Sequence, residues 1–124
     1  MSFDVTVERP MDIVPEGKYP ASVVDVRGIE GRYGQMAKID FMISGDDEYE
    51  GRQVSGVARM RLCENTKFGR WVAAILGRFL EVGENVTAAD LIGKDCFIVV
   101  KHRTSPDGKT FANVTDVLAQ TDSP

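Results

Sequence analysis

The stretch NTKFGRWVAAILGRFL, residues 65–80, is where the apolar pattern of the chain changes its period. Its apolar residues recur three or four positions apart, which is the spacing of one face of an α-helix. They are Phe68, Trp71, Val72, Ile75, Leu76, Phe79 and Leu80. Asn65 or Thr66 can serve as the N-cap, and we place the end of the helix between Gly77 and Val82. The sequence therefore predicts one amphipathic helix in this stretch.

Segments on both sides of this helix follow the two-residue period of β-strands. The alternation is cleanest at residues 35–44, whose odd-numbered apolar residues all face one way. In the third strand we expect Met60 and Leu62 to face inward. Its Arg59 and Arg61 then face outward. The predicted strands are residues 18–27, 35–44, 53–63, 94–103 and 109–120.

The last two strands flank the turn sequence SPDG, residues 105–108. Strand 94–103 has a continuous apolar centre, so we expect both of its faces to be covered. In the strand after the turn, Val114 and Leu118 are expected on one side. Phe111 then falls on the opposite, more polar side.

The order of elements is strand, strand, strand, helix, strand, strand, with a second short helix expected at residues 88–92 after Thr87. Five strands with a helix between the third and fourth match a mainly β, OB-fold-like Greek-key barrel whose helix covers one end. A five-stranded sheet with one helix packed on it, in an α+β sandwich, is the alternative. We expect this domain at residues 18–120, an arm at residues 1–17 and a frayed end at residues 121–124.

Composition is that of an ordinary single domain, since the 124 residues are 43% hydrophobic and 27% charged. No apolar run approaches the roughly 20 residues that a membrane span needs. Asp4, Glu8 and Arg9 interrupt any signal-peptide apolar region, so we expect a cytoplasmic protein with no membrane partner. Cys63 and Cys96 form no CxxC pattern, and we expect both to be buried apolar groups. A bridge between them stays an open alternative.

Motifs for catalysis and metal binding do not occur in the sequence. The chain has one histidine, His102, and no nucleophile elbow, P-loop, dinucleotide fingerprint or HExxH pattern. The acidic residues between positions 46 and 50 lack EF-hand spacing, so a solvated loop is the simpler interpretation. We therefore expect no enzyme activity, no metal and no cofactor.

The net charge of −4 argues against a nucleic-acid partner, for which a basic domain is expected. The distribution of charge matters more than the total. Residues 52–78 hold six basic side chains against Glu64 alone, and residues 101–109 hold three against Asp107. Positive charge is therefore concentrated in two segments, and the fold decides whether they meet.

Six phrases of the sequence together resemble phage-encoded single-stranded-DNA-binding proteins of the OB type. They are EGKYPASVVDV, YGQMAKIDFMI, YEGRQV, KFGRWVAAILG, LIGKDCFIVVKHR and DGKTFANVTDV, spread from about Pro15 to Val117. The resemblance implies binding of single-stranded DNA, with RNA as a second candidate, in replication or recombination of a phage or mobile element. Such proteins often end in an acidic tail that recruits partners, whereas only Asp122 is charged after Asp116 here.

OB folds bind oligonucleotides across strands 2 and 3 and the loops that follow strands 1 and 4. Cations in such a site neutralise phosphates, and aromatic rings stack on bases. The candidate residues come from the loop at residues 27–35, from the outer face of strands 2 and 3, and from the last hairpin. They are Arg27, Arg32, Tyr33, Lys38, Arg59, Arg61, Lys101, Arg103, Lys109 and Phe111.

Each part of this candidate site also has a simpler interpretation. The cations can be an ordinary solvated strand face, and the glycine-rich loop a flexible hairpin connection. Trp71 lies in the apolar stripe of the helix, so we assign it to the core and not to base stacking. The alternative function is an OB-like protein-interaction or assembly module without nucleic acid. In that case Met36, Met42, Val57 and Phe111 would form the interface of a homo-oligomer.

Overall fold

The computed structural model describes residues 4, 13–31, 34–45 and 48–120, and in these ranges five strands form one closed barrel. The elements are β1 (Gly17–Gly31), β2 (Gly34–Ile43), β3 (Gln53–Arg59), α1 (Lys67–Leu76), α2 (Ala88–Leu91), β4 (Asp95–Thr104) and β5 (Thr110–Leu118). Their order around the barrel is β1-β2-β3-β5-β4, and β3 and β5 are the parallel pair. The prediction of a mainly β chain with a helix between the third and fourth strands is confirmed.

The β1–β2 hairpin is longer than predicted. β1 continues to Gly31 and β2 begins at Gly34, and these two glycines pair with each other. Most of the predicted loop at residues 27–35 is therefore sheet, with residues 32–33 between the strands. The glycines of this stretch indicated a turn, but pairing with β2 satisfies the backbone and outweighs their low strand preference.

The core is built from the inward faces of the strands. The odd-numbered apolar residues of β2 are all buried, as predicted: Ala37, Ile39, Phe41 and Ile43. Helix α1 adds Trp71, Val72 and Ile75 to this core and contacts β3, β4 and β5. Full burial of such side chains stabilises the fold by roughly 1.5–3 kcal/mol each, so the helix is an integral part of the barrel.

Helix α1 has a cap at each end. The Thr66 hydroxyl accepts a hydrogen bond from the Gly69 N–H at 3.0 Å, so the predicted N-cap is confirmed. Gly77 ends the helix in the left-handed region with φ 72°, which glycine adopts without steric cost. The prediction that Phe79 belongs to the buried stripe is wrong, because this side chain follows the cap and is 94% exposed.

Strand β3 ends at Arg59, four residues earlier than predicted. The Arg61 N–H donates to the Arg59 carbonyl at 2.7 Å, which turns the chain away from the sheet. Met60 is 44% exposed and Leu62 is 39% exposed, so the prediction that they face inward is wrong. The alternation continues past the strand because these apolar residues line a cleft between the hairpin and the helices.

Strand β4 buries one face. Its inward residues Cys96, Ile98 and Val100 are buried, whereas Phe97 on the other face is half-buried. The prediction that both faces are covered is therefore wrong. On this other face the Lys18 ammonium lies 4.8 Å from the centroid of the Phe97 ring and covers part of it.

Strand β5 is irregular opposite β4. The register shifts between Val99 and Val100, which marks a bulge. Val114 is buried as predicted, but Val117 takes the inward position that was predicted for Leu118. An extra residue in one strand moves all later side chains to the other face, and alternation alone does not reveal it.

The described end of the predicted N-terminal arm packs against the barrel. Val14 is buried in the core, and its carbonyl lies 2.8 Å from the His102 Nε2. The His102 backbone N–H donates to the Glu16 carboxylate at 2.8 Å. Most of the predicted arm, and the predicted frayed end at residues 121–124, lie outside the described residues.

The two cysteines differ in environment and are not bonded to each other. Cys96 is buried, as predicted, whereas Cys63 is exposed because it follows the early end of β3. The prediction that both are buried is therefore wrong for Cys63. None of the helices in the described ranges is long and apolar enough to cross a bilayer.

Candidate nucleic-acid interface

Strand pairing fixes three rows of side chains on the outer face of β1, β2 and β3. Residues directly opposite each other on neighbouring strands point to the same side of a sheet. The rows are Ile29–Met36–Arg59, Arg27–Lys38–Val57 and Asp25–Asp40–Ser55. Near the β1–β2 turn the face is therefore basic and apolar, and it becomes acidic further along the strands.

Arg27 is paired with carboxylates on this face. Its Nη1 lies 3.7 Å from the Asp25 Oδ2, and its Nη2 lies 3.6 Å from the Asp40 Oδ2. The Ser55 hydroxyl donates to the Asp40 Oδ1 at 2.6 Å. Exposed ion pairs of this kind contribute only about 0–1 kcal/mol. They nevertheless offset the positive charge of Arg27, which the sequence analysis expected to meet phosphate.

Unlike Arg27, Lys38 and Arg59 are not paired with carboxylates in the described residues. Each has an apolar cross-strand neighbour, since Lys38 pairs with Val57 and Arg59 pairs with Met36, while the other neighbour of Lys38 is Arg27. A cation that tracks phosphate beside an apolar surface that receives bases is the combination used to bind single strands.

Lys67 also belongs to this region, although it was not among the predicted site residues. Its Nζ donates to the Val57 carbonyl at 3.3 Å and lies 4.8 Å from the centroid of the Trp71 ring. These contacts hold the ammonium at the edge of β3, next to the basic row. Its position in the first turn of α1 was the available signal, but linking that turn to β3 requires the fold.

The β4–β5 hairpin carries the second group of candidate residues. Lys101 pairs with Asn113 and Arg103 pairs with Phe111, so these side chains share the outer side of the hairpin. The Phe111 ring is 48% exposed. Within the described ranges, Lys101, Arg103 and Lys109 form no ion pair. This hairpin therefore offers an accessible aromatic ring among free cations.

The two groups lie on one continuous face at opposite ends of the strands. The parallel pairing of Ser55 with Asn113 joins the outer face of β3 to that of β5. Arg59 lies four residues beyond Ser55, and Phe111 lies two residues from Asn113 in the opposite direction. At about 3.3 Å per residue the groups are about 20 Å apart along the strands.

Three of the predicted residues are not part of either group. Arg61 lies on the connection from β3 to α1, so the prediction that it projects from the strand face is wrong. Arg32 and Tyr33 fall outside the described residues, between the paired Gly31 and Gly34. The first group of cations therefore consists of Lys38, Arg59 and the partly neutralised Arg27.

A cleft of about 300 Å³ opens between the β1–β2 hairpin and the helices. Met60 and Leu62 line it together with Phe68 and Val86, and Gly28 forms part of its wall. This cleft was not predicted, because the alternation of β3 placed Met60 and Leu62 in the barrel interior. The two-residue alternation beyond Arg59 was the signal, and it is the same for a core and for a cleft.

Metal-ligating side chains do not converge on the candidate interface. Among the residues that the structure describes, no group of three or more His, Cys, Asp or Glu side chains could hold a metal ion. What the arrangement offers is charge attraction and stacking. No protein-family model matches the chain, and comparison with the curated proteins finds no match.

Proposed function

We propose that this protein binds single-stranded DNA without sequence preference, and that its barrel is of the OB type. The strand order β1-β2-β3-β5-β4, the parallel β3–β5 pair and the helix between β3 and β4 support the fold assignment. The binding surface is then the outer face of β2 and β3 together with the β4–β5 hairpin.

The observation that carries the proposal is the pair of free cations on the outer face. Lys38 and Arg59 stand beside the half-buried or exposed apolar side chains Met36 and Val57, with no carboxylate within ion-pair distance in the described residues. Arg27, in the same row as Lys38, is paired with Asp25 and Asp40, so the free positive charge of this face comes from Lys38 and Arg59. On this face the acidic residues lie in a row of their own.

The path of the bound strand follows from the charges. A line from Arg59 across β3 and β5 to Phe111 passes the polar side chains of Ser55 and Asn113 and ends beside Arg103. The Asp40 carboxylate accepts the Ser55 hydroxyl at 2.6 Å and so borders this line from β2, whereas Asp25 lies one strand further away on β1. The bound strand has to span only about 20 Å between the two groups, and one OB fold covers roughly 4–16 nucleotides.

Binding by this mechanism involves no chemistry. Cations displace the counterions of the phosphates, and Phe111 with the apolar residues of β2 and β3 takes up bases. Every base has a stacking face, so the site tolerates any sequence. An acidic total charge of −4 is compatible with this, because local rows of cations and not the net charge contact the strand.

The experiment is a titration of a labelled thymidine oligonucleotide of about 16 nucleotides, followed by fluorescence anisotropy at several salt concentrations. The test variant is Lys38→Gln with Arg59→Gln. The control is Arg70→Gln with Lys94→Gln, which removes the same charge from exposed positions on α1 and before β4. The test variant is expected to reduce the slope of log affinity against log salt by about 1.4, which is about 0.7 for each lost phosphate contact.

The control variant is expected to keep the affinity and the salt slope of the unmodified protein. If both variants lost the same affinity, net charge alone would explain the loss, and the proposed interface would be contradicted. An unmodified protein that forms a stable oligomer and binds no oligonucleotide would contradict the proposed function. It would favour the protein-interaction module instead.

A further inference from the structure

The connection from α1 to α2 exposes large apolar side chains. Phe79 is 94% exposed and Val82 is fully exposed, the highest values for large hydrophobic residues in the described part of the chain. Neither side chain lies on the proposed nucleic-acid path. Exposed apolar groups of this size, next to further apolar surface, mark interaction sites.

This connection is held in shape by an ion pair. The Arg78 guanidinium binds both carboxylate oxygens of Glu84, with one contact of 3.0 Å from Nη1 to Oε1. The same Oε1 accepts the backbone N–H of Glu81 at 3.1 Å. The residues between 78 and 84 therefore form a closed loop, and the exposure of Phe79 and Val82 is built into it.

The loop is continuous with the apolar cleft described above. Leu62 and Val86 line both this cleft and a second one of about 270 Å³. The second cleft is completed by Leu80 and Val82 of the loop. Together these residues form an apolar strip that runs from Met60 to Phe79: Met60, Leu62, Val86, Leu80, Val82 and Phe79.

The two ends of the apolar strip carry opposite charges. Arg61 lies between Met60 and Leu62 at one end, and Glu81 lies between Leu80 and Val82 at the other. Neither forms an ion pair with a residue in the described ranges. At the second end Glu64 and Glu81 line the second cleft. Arg78 is paired with Glu84 there, and Arg70 is the remaining cation beside Phe79 among the described residues.

We propose that two copies of this chain associate through the apolar strip about a twofold axis, with Phe79 of each copy in the Met60 cleft of the other. A twofold axis across the strip places its basic end on the acidic end of the partner, so each Arg61 faces a Glu81 of the other copy. A surface that is complementary to itself in this way fits the twofold interfaces of most homodimers. The cleft of about 300 Å³ is apolar and open, as a receptor for an aromatic ring requires.

A second copy explains the strip better than nucleic acid does. A phosphate backbone would be repelled by Glu64 and Glu81, which border the apolar surface. A second copy of the chain also gives Arg61 a role, since this residue does not lie on the outer face of β3. The proposal does not rest on the proposed function, because it uses other residues and its test measures the oligomeric state.

The test measures mass by sedimentation velocity over a wide range of protein concentration. The unmodified protein is expected to be a dimer that dissociates on dilution. Phe79→Ser with Val82→Ser is expected to be monomeric at all concentrations, with an unchanged circular dichroism spectrum because both side chains are exposed. The control is Ile92→Ser, the same kind of change at a 43% exposed apolar side chain outside the strip, which is expected to leave the dimer intact.

A charge exchange tests the orientation of the two copies. Arg61→Glu and Glu81→Arg are each expected to weaken the dimer about tenfold or more, and the double variant is expected to restore it. A monomeric unmodified protein, or a dimer that is indifferent to the loop changes, would overturn the proposal. A double variant that is weaker than either single variant would also overturn it. A monomer whose oligonucleotide binding is lost on Phe79→Ser would assign the strip to nucleic acid instead.

Discussion

A Cβ atom built on Gly56 of β3 would lie 2.7 Å from the Cη2 atom of Trp71 on α1. Gly56 faces inward on β3, and Trp71 is buried, so the missing side chain is what lets the helix approach the barrel. The Val114 carbonyl lies 3.0 Å from the same Cβ position, which closes the space from the side of β5. This contact couples β3, α1 and β5, the elements that join the two halves of the proposed interface.

Gly56→Ala is therefore expected to lower the free energy of unfolding by about 1–3 kcal/mol, the usual cost of overpacking a core. Trp71→Phe removes the distal ring atoms that the new methyl group would meet. The double variant is expected to be more stable than the sum of the two single effects by at least about 0.5 kcal/mol. Urea denaturation of the four proteins measures this coupling, and strictly additive losses would show that the two side chains do not compete for space.

The exposed ring on the β4–β5 hairpin gives a prediction about base stacking. Phe111→Ala is expected to weaken binding of a thymidine oligonucleotide by about 1–3 kcal/mol, because one stacking partner is lost. Phe111→Tyr is expected to retain the affinity. Anisotropy titrations at one salt concentration compare the three proteins. A full retention of affinity in the alanine variant would assign Phe111 a purely structural place beside the turn.

The two cysteines are expected to react at different rates. Burial, and the nearby charge of Asp95, raise the pKa of the Cys96 thiol to about 12, so it stays protonated and inaccessible in the native protein. A thiol reagent at pH 8 is expected to modify Cys63 alone, and both cysteines after denaturation. Because the unfolded thiol titrates near its ordinary pKa of 9.0, this group makes the fold less stable as the pH rises from about 9 to 12. Rapid modification of both thiols in the native protein would contradict this environment.

The ion pair in the α1–α2 loop gives a pH dependence of the opposite sign. The Arg78 guanidinium and then the Glu81 N–H lower the pKa of the Glu84 carboxyl from 4.5 to about 2. The contribution of this carboxylate is therefore complete above its ordinary pKa and is lost as the pH falls toward 2. NMR titration of the Glu84 side-chain carboxyl is expected to give a pKa near 2, rising toward 4.5 in Arg78→Gln. A value that does not change in the variant would show that Arg78 does not hold the loop.

The sequence was informative where one rule of periodicity applied without interruption. β2 and the buried face of α1 follow from spacing alone, because the odd-numbered residues of β2 and the apolar stripe of α1 meet the same core. β3 was predicted too long, since Met60 and Leu62 keep the alternation while lining a cleft. The predicted alternation of β5 fails after a bulge. The bulge depends on pairing with β4, and the residues of β5 give no sign of it.

The candidate interface was predictable to a similar degree. That Lys38 and Arg59 face outward follows from the alternation of their strands. The pairing of Arg27 with Asp40 depends on the register between β1 and β2, and a shift of one residue would separate them. The position of Arg61 depends on where β3 ends, and the position of Lys67 depends on how α1 crosses β3. These relationships belong to the tertiary structure, and local pattern does not contain them.

Binding of single-stranded DNA is tested most directly by the affinity of the unmodified protein for an unstructured oligonucleotide as salt is varied. Contacts from Lys38 and Arg59 alone predict that log affinity falls with log salt with a slope of about −1.4, and contacts from the β4–β5 hairpin would make it steeper. An affinity that is the same at low and high salt, or no binding at low salt, would contradict the account.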